Sequence, residues 1–396
     1  MSPESIIRIC DESEELKNSM YRIVFVSTYS FAEPVLKNRL TPFIDLALDR
    51  GFSVVLVNPA GGNYHRSEEQ NFLHQSLDIA QANRGNFFIR TVRELLLARK
   101  ILGKLPKDSE VIFMTVPSMF LLFLFQGFHA SLKVLDVRDL TWEYLSDRSL
   151  IMRHAKKLFR VLARWKLPQF DFFTVTNNAE FKYLCEEVQV NPEKIIQCSN
   201  GITFAQFQSL AQVDYDSPSK KSKRPCLAYV GNIGVAQNLT TLVEAAKKLP
   251  DVDFKIVGGG SDQARVEEAA RQVPNVDMTG RVDWAEIPLI YQYADILWAQ
   301  LTPDFAGAVP SKLYEYLATG KPVIYGGLGE AVSVVDEFQY VEILEPDNVP
   351  ALVSTISKML NTQEVCQINL SNREKIQKKY IRELSVERVY QRIFKE

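Results

Sequence analysis

The chain has 396 residues, 46% of them apolar and 24% charged, with a net charge of −2 at neutral pH. That length exceeds one ordinary hydrophobic core and predicts two domains. The near-neutral balance gives no whole-chain reason to expect a nucleic-acid partner.

Five scattered cysteines (Cys10, Cys185, Cys198, Cys226, Cys366) form no CxxC pair. They fit a reducing compartment and predict neither a disulfide framework nor a zinc site. The four histidines, His65, His74, His129 and His154, lack metal-ligand spacing, so no metal is expected. Residues 1–20 read as a loose leader, polar and acidic, unlike a signal or transit peptide. The longest apolar run, Met119–Phe125, is far short of the roughly 20 residues that cross a bilayer. A cytoplasmic protein is the expectation.

In chain order, Arg22–Ser27 reads as a buried parallel strand, followed by a helix over Leu40–Asp49 and a strand over Ser53–Val57. Helix Val92–Leu102, strand Val111–Thr115, helix Ser118–Phe128 and strand Lys133–Val137 continue the alternation. A basic helix over Leu150–Trp165, strand Phe172–Thr176, helix Ala179–Glu187 and strand Lys194–Cys198 follow, and Asn200-Gly201 predicts a tight turn. The charged run Asp214–Arg224 predicts a linker, separating a first domain at 21–213 from a second at 225–379. The second half restarts the pattern, with strands at Leu227–Val230, Phe254–Val257, Val276–Met278, Ile296–Ala299 and Pro322–Tyr325. Helices are predicted at Leu239–Leu249, Gln263–Gln272 and 310–319, and final helices over Ile376–Phe394 have no strand after them. Strand–helix alternation of this kind predicts doubly wound α/β sheets.

The stretch with most chemistry is Val309–Ile324, one short helix feeding a buried strand. Pro310 suits the first turn, Gly320 supplies a left-handed stop, and Pro322 blocks continuation. Leu313, Tyr316, Leu317 and Gly320 share one packed face, while Lys312, Glu315 and Thr319 share another. A cation and a carboxylate are thus set one turn apart at a helix start, where anions are favoured. A surface Lys–Glu pair is the plain alternative.

This run, Pro-Ser-Lys-Leu-Tyr-Glu-Tyr-Leu-Ala-x-Gly-Lys-Pro-Val, is similar to the donor-binding helix of family 4 glycosyltransferases, closest to the branch acting in bacterial surface-polysaccharide assembly. The resemblance implies a GT-B architecture, two Rossmann-like domains facing each other across a cleft, with the C-terminal helix at about 380–396 packing back on the first. It also implies that Glu315 grips the ribose of a nucleoside diphosphate sugar, with Ser311 and Lys312 beside it. Tyr229-Val-Gly231-Asn232-Ile-Gly234-Val-Ala-Gln237 resembles the glycine-rich turn of the same branch, where backbone N–H groups approach a pyrophosphate. Many family members carry Arg and Lys where this chain has Asn232 and Gln237, so Lys312 is left to supply charge. Gly258 and Gly259 follow the next strand, and Arg281 and Val282 would border the base. The family's first glutamate falls on Gly307 here, and Asp304 is a nearby substitute. Gly326–Glu330 offers further N–H groups.

In the first domain, Asp136–Glu143 resembles the Asp-Val-Arg-Asp-Leu run of that branch and makes Arg138 and Asp139 candidates for positioning an acceptor. A salt-bridged loop is the alternative. The strand-to-helix loop Tyr29–Asn38 lacks the family's Gly-Gly pair. Between Arg153 and Lys166, basic residues with no acid among them alternate with apolar ones, which predicts peripheral membrane contact through 153–166 at an inner leaflet. The resulting expectation is a retaining, metal-independent glycosyltransferase of polysaccharide biosynthesis, needing no cofactor, with a glycan or lipid-linked acceptor. The alternatives are an inactive carbohydrate-binding or scaffold subunit, and a nucleotide-sugar epimerase.

Overall fold

A computed structural model describes residues 22–78, 87–107, 109–116, 119–125, 130–138, 140, 142–143, 150–212, 224–361 and 368–395. The expected leader lies outside these residues, as does nearly all of the expected linker. The chain divides into two units, Met1–Ser199 with Ser385–Glu396, and Asn200–Leu384.

The first unit runs β1 (Arg22–Val26), α1 (Pro34–Asp49), β2 (Ser53–Pro59), β3 (Phe72–Leu77), α2 (Phe87–Leu102), β4 (Val111–Val116) and α3 (Met119–Leu124). It continues through β5 (Leu132–Val137), α4 (Leu150–Lys166), β6 (Phe172–Val175), α5 (Asn178–Lys182) and β7 (Ile195–Gln197). These strands form one parallel sheet in the order β3-β2-β1-β4-β5-β6-β7. Period-two alternation divides its core. Ile23 and Phe25 of β1 pack under α1, whereas Val24 and Val26 pack under α2, α3 and α4.

The second unit runs α6 (Phe204–Ala211), β8 (Cys226–Val230), α7 (Thr240–Lys248), β9 (Asp253–Val257), α8 (Gln263–Ala270), β10 (Val276–Gly280), α9 (Ile287–Tyr293) and β11 (Ile296–Gln300). Then come α10 (Ser311–Thr319), β12 (Val323–Gly326), α11 (Glu330–Val335), β13 (Val341–Leu344), α12 (Val349–Leu360), α13 (Leu370–Lys379) and α14 (Arg382–Phe394). Its parallel sheet has the order β10-β9-β8-β11-β12-β13. From Ser385 onward α14 belongs to the first unit, where the Tyr390 hydroxyl donates to the Phe43 carbonyl at 2.7 Å and Arg50 pairs with Glu387 at 2.7 Å. Both units are therefore doubly wound α/β folds, as the strand–helix alternation predicts. Among the described residues, no helix is long and apolar enough to cross a membrane.

Several local expectations change. The helix expected over Ala179–Glu187 ends its α-turn at Lys182 and finishes as a π-turn over Tyr183–Glu187. Gly201 is needed for close approach, not for a turn: a Cβ there would lie 1.8 Å from the Tyr380 carbonyl oxygen. Strand β3 is unanticipated, since Phe-Leu-His-Gln-Ser-Leu is too polar to stand out, and as an edge strand it need bury only part of itself. Helix α6 lies within the span expected for the first domain, yet it packs with α10 and α13 of the second unit.

The first unit also encloses an ion pair that no motif announced. The Arg39 guanidinium donates to both carboxylate oxygens of Asp136 at 3.2 Å and to the Cys198 carbonyl at 2.7 Å, with the carboxylate fully buried. Thr115 and Thr174 hydroxyls donate to the same carboxylate at 2.9 and 2.6 Å. Burial alone would raise the Asp136 carboxyl, but the charges of Arg39 and Arg138 and these hydrogen bonds hold it below the usual range. Asp136→Asn strands a buried guanidinium and is expected to cost about 3–5 kcal/mol in denaturant unfolding at neutral pH. The carboxylate's contribution is present above its ordinary range and lost as pH falls through the lowered value. The mutant and the wild type should therefore converge in acid, and equal midpoints at neutral pH would disprove the pair's role.

Candidate functional site

The strand order of the second unit reverses between β8 and β11, which makes a crevice at their carboxyl ends the expected ligand position. The two strands pair only through Leu227 and Ala228, so they have parted by Val230. The Tyr316 hydroxyl takes over there: it accepts from the Val230 N–H at 2.8 Å and donates to the Val230 carbonyl at 3.1 Å. Helix α10 is thereby fixed with its first turn at the seam.

The helix is more enclosed than its spacing implied. Leu313, Tyr314, Tyr316, Leu317, Ala318 and Thr319 are all buried, because α6 and α13 cover the side away from the sheet. Thr319 thus belongs to the core, and of the helix residues only Ser311 is exposed. Pro310 sits at the N-cap, one residue before the first helical position, and Gly320 closes the helix at φ 74°. The plain surface-pair alternative fails for Lys312 and Glu315, whose charged ends are turned into the unit.

The Lys312 ammonium donates to the Tyr229 hydroxyl and lies 3.8 Å from the centre of the Tyr229 ring. A Cβ on Gly231 would come within 2.7 Å of it, and that residue holds φ 150°, a conformation that favours glycine, so the lysine end lies against main chain that carries no side chain. Burial lowers the ammonium to about 7, with the Glu315 charge opposing the fall. One turn on, Glu315 accepts from the Tyr291 hydroxyl at 2.8 Å. Burial raises its carboxyl against the lowering effects of Tyr291, Arg382 and Lys312.

Backbone surrounds this pair. A Cβ on Gly258 (φ 141°) would lie 1.8 Å from the Gly231 carbonyl oxygen, so the turns after β8 and β9 touch main chain to main chain. Gly259 lies under Arg281, whose Nε would stand 3.1 Å from a Cβ there, and Val282 packs on the core behind α10. Gln237 accepts from the Gly234 N–H at 3.1 Å and from the Asn232 amide at 3.4 Å. At the two positions where the resembled family often carries Arg and Lys, the chain therefore has a neutral pair bonded to each other. Asp304 is exposed on a single 3-10 turn, and Gly307 follows it. Ala306 abuts Gly329 and accepts from the Glu330 N–H at 2.9 Å, which brings the Gly326–Glu330 turn alongside.

The structure therefore gathers Gly231, Asn232, Gly234, Gln237, Gly258, Gly259, Arg281, Lys312 and Glu315 at one end of one sheet. Arg138 belongs to the first unit, where it donates to the Val35 carbonyl at 3.0 Å, and Asp139 lies outside the described residues. Tyr229, Tyr291 and Tyr316 were missed as site residues, since buried tyrosines read simply as core. Among the described residues, no group of three His, Cys, Asp or Glu is placed to hold a metal ion.

Residues 213–379 match the family model described as glycosyl transferases group 1. The chain is 25% identical over 231 residues to "Putative teichuronic acid biosynthesis glycosyltransferase TuaH" of Bacillus subtilis (strain 168), covering 57% of this chain and 58% of that protein. It is 31% identical over 189 residues to "Putative colanic acid biosynthesis glycosyl transferase WcaI" of Escherichia coli (strain K12), covering 44% and 46% respectively. The chain thus spans about half the length of the curated relatives it matches. The structure of Anabaena HepE in complex with UDP-glucose superposes with a TM-score of 0.68 at 14% identity, covering 95% of this chain and 100% of that one, so the GT-B fold is shared.

Tyr316→Phe leaves the buried N–H and carbonyl of Val230 unpaired, and about 1–3 kcal/mol of stability should be lost. Thermal unfolding checks this, and an unchanged midpoint would show that the seam is held by other means.

Proposed function

We propose that this chain, whose residues 213–379 match the family model described as glycosyl transferases group 1, is a glycosyltransferase that moves a sugar from a nucleoside diphosphate sugar to an acceptor hydroxyl with retention of configuration. The observation that carries the reading is the Lys312 ammonium, held against Gly231 at the first turn of a helix and at a sheet switch point. Lys312 and the N–H groups of the turns at Gly231–Gly234 and Gly258–Gly259 would receive the diphosphate. Glu315 would accept from the ribose hydroxyls, and Arg281 and Val282 would border the base. Asp304 and Gly307 would face the donor sugar, while Arg138 and Asp139 would position the acceptor on the first unit.

The chemistry follows from those roles. The bond from the anomeric carbon to the leaving phosphate oxygen breaks as the acceptor oxygen bonds to the same face of the sugar. The leaving phosphate takes the acceptor proton, since no side chain stands out as a nucleophile. Lys312 and the helix terminus offset the charge that develops on that phosphate, so the reading is metal-independent. A glycan or lipid-linked acceptor, met by a cytoplasmic protein lying peripherally at a membrane's inner face, completes the proposal. The two named bacterial relatives support polysaccharide biosynthesis, and the UDP-glucose complex of HepE supports a nucleotide-sugar donor.

A second reading, an inactive subunit that kept the fold, is favoured by one observation: Asn232 and Gln237 bond to each other instead of offering cations. A nucleotide-sugar epimerase is the third. A thermal-shift panel of UDP, GDP, ADP and TDP tests donor binding, because a nucleoside diphosphate at 100 times its dissociation constant stabilises by about 2.7 kcal/mol. Transfer without a sugar isomer then excludes the epimerase, and donor binding without any transfer or hydrolysis supports the inactive subunit.

Glu315→Gln should weaken donor binding by about 1.5–3 kcal/mol in the same assay while the fold survives, since a charged hydrogen bond to ribose is lost. Wild-type kinetics in a folded Glu315→Gln protein would sink the assignment. Activity should persist in EDTA. Loss on chelation, restored by magnesium or manganese, would show that Lys312 does not suffice for the leaving group.

A further inference from the structure

Helices α2, α3 and α4 cover the same face of the first sheet: Ala98 and Ile101, Leu121 and Leu122, and Ala163 share one core, and α3 touches both of its neighbours. The outward sides of α2 and α4 are not polar. On α4, Leu158, Val161 and Trp165 are 57, 61 and 66% exposed, and on α2, Leu96 is 53% exposed beside the exposed Val92 and Leu95. Large apolar side chains left in water on two helices of one layer require an explanation.

The charge on the same helices narrows it. Helix α2 carries four basic residues and one acid, Glu94, and α4 carries six basic residues and no acid. Some of these cations are already engaged. Arg160 donates to Glu143 at 2.8 Å, Lys156 lies 4.0 Å from the same carboxylate, and Arg164 pairs with Glu187 at 2.8 Å. Lys157, Arg99 and Lys100 are exposed around the apolar rows.

We propose that α2 and α4 together form a docking surface for an anionic lipid bilayer, with Leu96, Leu158, Val161 and Trp165 entering the headgroup boundary and Lys157, Arg99 and Lys100 meeting lipid phosphates. An anionic leaflet satisfies both halves of the surface, because apolar side chains enter the interface while the cations stay among charged headgroups. A second copy of this chain does not, since it would set one basic face against another. Within the 153–166 stretch that the sequence suggested, Lys156 and Arg160 are weaker contacts, because Glu143 already holds both. The proposal rests on the peripheral placement inferred above but not on sugar transfer, and the two can be told apart.

The test is co-sedimentation of the full chain with phosphatidylcholine vesicles made with and without phosphatidylglycerol. Pelleting with the anionic vesicles alone is expected. Leu158→Asp with Val161→Asp should lower the partition coefficient about tenfold or more, and Leu96→Asp should lower it independently. All three positions are exposed, so nucleotide thermal shifts should match those of the wild type and report an intact fold and donor site. A blue shift of Trp165 fluorescence with anionic vesicles, absent in Trp165→Phe, would place that ring in the interface. Absence of pelleting, equal pelleting with neutral vesicles, or apolar-to-Asp variants that bind normally would each overturn the proposal. So would a loss of dimer mass in those variants, which would assign the face to a second copy.

Discussion

Strand β8 ends with an unusual requirement: the N–H and carbonyl of Val230 face a neighbouring strand that has already diverged. Buried peptide groups cannot be left without partners at that depth. A single hydroxyl, from Tyr316, serves both. Because that hydroxyl rides on α10, satisfying the sheet seam also fixes where the helix begins, and so where Lys312 and Glu315 stand. The glycines follow from the same placement. Gly231 holds a positive φ that favours glycine and leaves its side open to the lysine, and Gly258 must lack a side chain for the next turn to close over Gly231.

Much of this was legible in the sequence, for identifiable reasons. The apolar runs of β1, β2, β4 and β8 read as buried strands because parallel sheets covered on both faces need continuous apolar residues. Gly320 read as a helix stop and adopts the left-handed conformation. Lys312 and Glu315 drew attention because spacing set them one turn apart. Spacing reports the period of a helix, however, and not how many neighbours enclose it. Thr319 therefore read as a member of a polar face, whereas α13 and α6 bury it. Tyr316 read as packing for a similar reason: nothing in its neighbours marks a hydroxyl that will replace a strand.

The first unit shows a different limit. Asp136–Glu143 drew notice as a possible acceptor loop, yet its described members largely tie the unit together. Asp136 is closed inside a network with Arg39, Thr115 and Thr174, Trp142 donates to the Tyr183 hydroxyl at 2.9 Å, and Glu143 holds α4 through Arg160. Arg39 lies 97 residues before Asp136. No local pattern could join them, because only the sheet order brings α1 beneath the end of β5. The loop after β1, which has no Gly-Gly pair of its own, is likewise met by glycines from elsewhere in the chain. Gly61 and Gly62, after β2, lie against Ser30 and Ala32 after β1, and the Ser30 hydroxyl donates to the Gly61 carbonyl at 2.8 Å.

The substitution of a neutral Asn232–Gln237 pair leaves Lys312 as the lysine packed directly against the turn after β8. Its ammonium, lowered to about 7 by burial, is only partly protonated near neutrality. An arriving diphosphate would favour the charged form, so the complex must draw a fraction of a proton from solution as it forms. The heat released on binding would then include the ionisation enthalpy of whichever buffer gave up that proton. Calorimetry in phosphate and in Tris, identical in every other respect, would yield different enthalpies for one and the same complex.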